Sequence, residues 1–114
     1  MRLAPLVAVL IVAAYACSST TGNANAACGN SGAAATVSGT DGQTFAPGTT
    51  TIAVGQSVCW QNSGSIAHTV TDNGGAFNSN LSPGQMVVHA YGTKGTFPYH
   101  CQIHAGMTGT VTVQ

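Results

Sequence analysis

Charge is nearly missing from this chain. Of its 114 residues only Arg2, Lys94, Asp41 and Asp72 carry a full charge, 4% of the total, and the formal net charge is zero. There is no basic stripe to neutralise phosphates and no acidic run to gather cations or act as a solvating tail, which makes nucleic acid a poor candidate partner. The chain also lacks internal repeats and, from Ala34 onward, any helical pattern of useful length. Its length allows one small domain and excludes a two-domain enzyme. The polar share is Thr, Ser, Asn and Gln, with Val, Ile and aromatics scattered between them. That is the composition of a strand-rich soluble domain, and an all-β fold is expected.

The longest apolar run, Leu3 to Ala14, falls short of the roughly 20 residues a membrane-spanning helix needs. With Met1 and Arg2 before it and the small-x-small triplet Ala14-Tyr15-Ala16 at its end, residues 1–16 read as an export signal. Cys17 follows directly and opens a polar, featureless run that reads as a tether over residues 17–33, ahead of a domain at 34–114. A cysteine at the end of an apolar signal, before such a tether, resembles the lipobox of bacterial lipoproteins, which implies acylation at Cys17. Plain secretion, with cleavage after Ala16 or after Ala24-Asn25-Ala26, is the alternative. Both place the domain outside the cytoplasm, in a periplasm or at a cell surface, with the membrane met only through a lipid at Cys17.

From Ala34 onward short β-type runs alternate with Gly, Pro and Asn punctuation. The expected strands are Ala35 to Ser38, Thr49 to Val54, Ser57 to Gln61, His68 to Thr71, Met86 to Tyr91, Thr96 to Cys101 and Thr108 to Val113. Alternation puts Val58 and Trp60 on one face and Cys59 on the other, and groups Phe97, Tyr99 and Cys101 inward with His100 outward. Pro98 lacks a ladder donor, so its strand should lie at an edge or end near that residue.

Four cysteines in an exported domain would ordinarily mean disulfides. If Cys17 is acylated or removed, three remain and one stays free. Cys101 is the expected free thiol, because Cys101, His104 and Met107 follow one another at intervals of three residues, bringing a thiolate, an imidazole and a thioether onto one tight turn. Cys28 and Cys59 are left to pair. Structural zinc sites use paired Cys and His, whereas two His and a Cys with a long axial Met form the blue-copper arrangement. The second histidine is expected to be His68, which opens a β-type run. His89 shares a face with Val87 and Tyr91 and reads as a buried, hydrogen-bonded side chain, and His100 as a surface residue.

The segments W-Q-N-S-G-S-I-A-H-T-V-T-D, F-N-S, L-S-P-G-Q and K-G-T-F-P-Y-H-C-Q-I-H-A-G-M-T-G-T-V-T-V resemble the plastocyanin/azurin family of small cupredoxins from Ala34 to the C-terminus. The resemblance implies a Greek-key β-sandwich of seven to eight strands and one type 1 copper ion at His68, Cys101, His104 and Met107. The spacing from His104 to Met107 is similar to that of amicyanins. It implies a monomeric one-electron carrier whose redox partners dock near His104, where Ile103, Ala105, Gly106 and Met107 carry no charge. A periplasmic copper carrier or storage protein that never cycles is the competing reading. An enzyme is not expected, because protein side chains fill every strong ligand position.

Overall fold

The computed structural model describes residues 28–114. The expected export signal, Cys17 and most of the expected tether lie outside the described residues. Nine strands run in order: β1 (Ala35–Gly39), β2 (Phe45–Ala46), β3 (Thr49–Ile52), β4 (Ser57–Gln61), β5 (His68–Asp72), β6 (Asn78–Leu81), β7 (Met86–Ala90), β8 (Gly95–His100) and β9 (Thr108–Val113). They form two sheets, β2-β1-β4-β7 and β3-β9-β8-β5-β6. Pairing is antiparallel except for β1 with β4 and β3 with β9.

The period-2 pattern explains which faces meet. Along β9, Gly109, Val111 and Val113 turn inward while Thr108, Thr110 and Thr112 turn out. Val37, Phe45, Val58, Trp60, Val70, Leu81, Tyr99 and Val111 fill the space between the sheets, with Cys101 and Met107 in the same apolar cluster. Tyr99 packs edge-on against Trp60 and Phe45, at ring separations of 5.2 and 4.8 Å. It lies across its β9 partner Gly109, where a Cβ would come within 2.3 Å of the phenol oxygen.

Seven of the strands match the sequence expectation to within two residues. The count exceeds seven to eight because β2 and β6 join the sheets. β2 is two residues long, and in β6 only Leu81 is buried among Asn78, Ser79 and Asn80, so neither carries an apolar alternation. Pro98 sits in a strand with neighbours on both sides, but the ladder between β5 and β8 stops beside it. Only Thr71–His100 and Asp72–Tyr99 are paired, and the Asn73 amide closes the ladder on the Pro98 carbonyl at 3.0 Å.

Cys28 and Cys59 form a disulfide with Cα atoms 5.7 Å apart. A single 3-10 turn at Cys28–Asn30 then lies on the outward face of β4, and the Ala34 amide donates to the Ser57 carbonyl at 2.9 Å. Cys59 is therefore fully buried although it faces away from Trp60. The last residues of the expected tether, from Cys28 onward, are pinned to the sheet.

Candidate metal centre

Four expected residues converge at one end of the sandwich. His68 opens β5, Cys101 follows the last residue of β8, and Met107 precedes β9, with His104 on the turn between. That turn closes on itself: the Cys101 amide donates to the Met107 carbonyl at 2.9 Å, and the Met107 amide to the His104 carbonyl at 3.3 Å. His68 and Met107 are each 1% exposed and Cys101 4%, while His104 is half-buried and Ile103 beside it is 56% exposed. The site is thus closed on the core side, with His104 on its solvent side.

The donor atoms of His68, Cys101 and His104 all lie within 4.8 Å of one another. His68 Nδ1 is 3.2 Å from His104 Nδ1, and that atom is 3.6 Å from Cys101 Sγ. These separations suit a single ion bonded at about 2.0–2.3 Å to each donor. Two imidazoles with a thiolate form a set that favours copper, and Met107, a soft thioether, is buried in the same turn. Among the described residues Cys101 is the free cysteine. The Thr69 amide donates to its sulfur at 3.3 Å, and the Thr69 hydroxyl accepts from the Gln102 amide at 2.8 Å, so β5 fixes both sides of the thiol.

Burial lowers the His68 pKa and nearby His104 lowers it further, while the Thr40 carbonyl and Asp41 act in the opposite sense. A buried imidazole held neutral keeps a lone pair for a metal. Space for the ring comes from Gly39, where a Cβ would stand 3.0 Å from His68 Cδ2. The loop before His68 has two anchors that spacing in the sequence did not signal. Asn62, 1% exposed, donates to the Ile66 and Leu81 carbonyls at 2.7 and 2.9 Å and accepts from the Gly64 amide at 3.0 Å. Asp41 accepts from the Ser65 and Ile66 amides, which together hold its carboxyl below the usual range.

The other two histidines stand apart from this cluster. His89 is half-buried and stacks on Phe77 with centroids 4.1 Å apart. It is held by ring contacts with Phe77 and Tyr91 rather than by the hydrogen bond expected for it, because its neighbours on the core side are aromatic faces. His100 is half-buried and pairs through Nδ1 with Asn73 Oδ1.

No family model matches the chain. A plastocyanin of Scenedesmus fuscus is 34% identical over 84 residues, covering 61% of this chain and 86% of that protein. The chain belongs to the plastocyanin/azurin family of small cupredoxins. Solved structures of cupredoxins share the fold. A novel purple cupredoxin from Nitrosopumilus maritimus is 28% identical, covers 70% of this chain and 99% of its own, and superposes with a TM-score of 0.62. An amicyanin variant in its Cu(I) form is 25% identical over 73% of this chain and 83% of that one, with a TM-score of 0.66. The family is one of copper-dependent electron transfer, and its members are in general carriers rather than enzymes. A cupredoxin's cofactor is a single copper ion, and the donors of this chain suit it.

Proposed function

We propose that this cupredoxin is an extracytoplasmic one-electron carrier in which His68, Cys101 and His104 would hold one type 1 copper ion, with Met107 as a fourth, weaker ligand. The observation that carries the reading is the arrangement of the three donors, two imidazoles and one soft thiolate within 4.8 Å of one another, with His68 and Cys101 buried. Bound copper supplies the one-electron redox step. The chain's residues keep that step from requiring movement. His68 and Cys101 are fixed by β5 and the end of β8, and the Thr69 amide draws charge from the thiolate sulfur. Electrons pass by way of His104, at the solvent side of the site, where exposed Ile103, Ala105 and Gly106 offer an uncharged face to a redox protein. In this reading the domain turns over no substrate and works as a monomer.

In the same proposal residues 1–16 direct export, residues 17–33 tether the domain at 34–114, and Cys17 carries a lipid that holds it at a membrane in the periplasm or at the cell surface. The test is optical. Copper-loaded protein is expected to be intensely blue and to bleach reversibly with ascorbate; Cys101→Ser, which exchanges the soft thiolate for a hydroxyl, should abolish the colour. A serine variant that stays blue would remove Cys101 from the site. Colourless Cu(I) protein that cannot be cycled would favour a copper carrier or store.

A further inference from the structure

We propose that Asp41 is a positioning residue for His68: its carboxylate fixes the backbone that carries the imidazole into the copper site, and thereby helps to set the reduction potential of the loaded protein. The inference rests on His68 being a copper ligand.

Asp41 accepts at Oδ1 from the Ser65 amide at 2.9 Å and the Ile66 amide at 3.2 Å, and at Oδ2 from the Ser65 hydroxyl at 3.1 Å. Only Ala67 separates these residues from His68. Hydrogen bonds to an ionised acceptor are roughly twice as strong as neutral ones. The turn that presents the carboxylate is itself braced. The Thr40 amide donates to the Thr44 carbonyl at 2.9 Å, the Gln43 amide to the Thr40 carbonyl at 3.0 Å, and the two threonine hydroxyls are 2.7 Å apart. Two glycines let this corner close. A Cβ on Gly64 would lie 2.1 Å from Asp41 Oδ1, and a Cβ on Gly39 would press on the His68 ring at 3.0 Å. One short stretch, Gly39 to Asp41, thus borders both the ring and the loop that delivers it.

Solubility does not explain an acid here, since the chain has only two, and this one engages backbone amides rather than a cation. Its negative charge faces the side from which His68 enters, and such a charge favours the more positive, oxidised metal. Removing it should raise the potential. Removing its hydrogen bonds should also let the imidazole shift and change the copper spectrum.

The experiment compares Asp41→Asn, Asp41→Ala and Ser65→Ala with the wild type in copper-loaded full-length protein, by voltammetry, by the optical and EPR spectra of the oxidised form, and by thermal melting. Asn keeps an acceptor without the charge, so a raised potential with a near-native spectrum is expected. Ala should raise the potential and alter the spectrum, and Ser65→Ala should alter it less. Wild-type potential and spectrum in Asp41→Ala, with only a lower melting temperature, would reduce Asp41 to a stabilising contact and overturn the proposal. If the Ala variant does not fold, wild-type potential and spectrum in both Asp41→Asn, which lacks the charge, and Ser65→Ala, which lacks one of the hydrogen bonds, overturn it equally. His68→Ala in the same series separates the two levels, because a native blue spectrum there refutes the ligand assignment and not merely the role of Asp41.

Discussion

Met107 is buried with the core, yet a leucine would fill that space without a sulfur. The thioether is what distinguishes it, and its contribution can be measured. Met107→Gln replaces a donor that favours Cu(I) with an oxygen that favours Cu(II), so the reduction potential should fall. Met107→Leu should raise it. Voltammetry that finds no shift in either variant would leave Met107 a packing residue. His89 makes a different test. Burial lowers its pKa, and Asp72 opposes that only in part. The unfolded chain therefore takes up a proton first: the stability that neutral His89 contributes is complete above about pH 6.5 and is lost as pH falls through the folded value. Copper-free wild type should lose stability to urea between about pH 7.5 and pH 5. His89→Phe should lose less, the remainder belonging to His68, whose pKa is lowered as well. Equal losses in the two proteins would show that His89 pays no penalty for its aromatic surroundings. The donors on the Cys101–Met107 turn were legible because three ligand types at short intervals permit few other readings. Asp41 and Ser65 were not, since 24 residues separate them and no spacing rule joins a carboxylate to distant amides.

At the level of strands, β8 and β9 are hydrogen-bonded neighbours in one sheet, and Gly109 stands opposite Tyr99 where they pair. Tyr99 is 1% exposed and its ring lies over Gly109, so an added methyl group has nowhere to go. Gly109→Ala should cost about 1–3 kcal/mol in chemical unfolding, the usual range for overpacking a close-packed core. A variant as stable as the wild type would mean that the ring can slide. The same pairing shows what periodicity can reveal. β9 was readable because it buries alternate side chains, and Phe97, Tyr99 and Cys101 fall on one face as alternation requires, whereas β4 buries Val58 and Trp60 on one face and the disulfide-bonded Cys59 on the other. β6 was not, because Asn78, Ser79 and Asn80 pair through their backbones with β5 and leave only Leu81 to mark the inward face. Pro98 shows the limit of a rule applied to a whole strand. Its missing donor is accommodated where one ladder ends, and β8 remains inside the sheet.

The whole domain depends on a covalent tie and on near neutrality. The Cys28–Cys59 bridge spans a sequence separation of 31 residues, and in the chain-entropy model a loop of that size stabilises the fold by roughly 3–4 kcal/mol. Replacing both cysteines with alanine should lower the unfolding free energy by an amount of that order, while alkylation of unreduced, copper-free wild type should label Cys101 without Cys28 or Cys59. Neutrality bears on encounter with partners. With a formal net charge of zero there is little field to steer association, so the bimolecular rate of electron transfer should be nearly flat with ionic strength. A steep salt dependence would point to a strongly charged patch that this sequence does not contain. The turn from Cys101 to Met107 has a consequence of another kind. It holds three of the four proposed ligands and is closed by its own backbone bonds, while the strands on either side are paired with each other along their whole length, from Gly95 with Val113 to His100 with Thr108. Residues can then be gained or lost within the turn over a lineage without disturbing the sandwich, which leaves the scaffold to be inherited intact while the chemistry of the metal is varied.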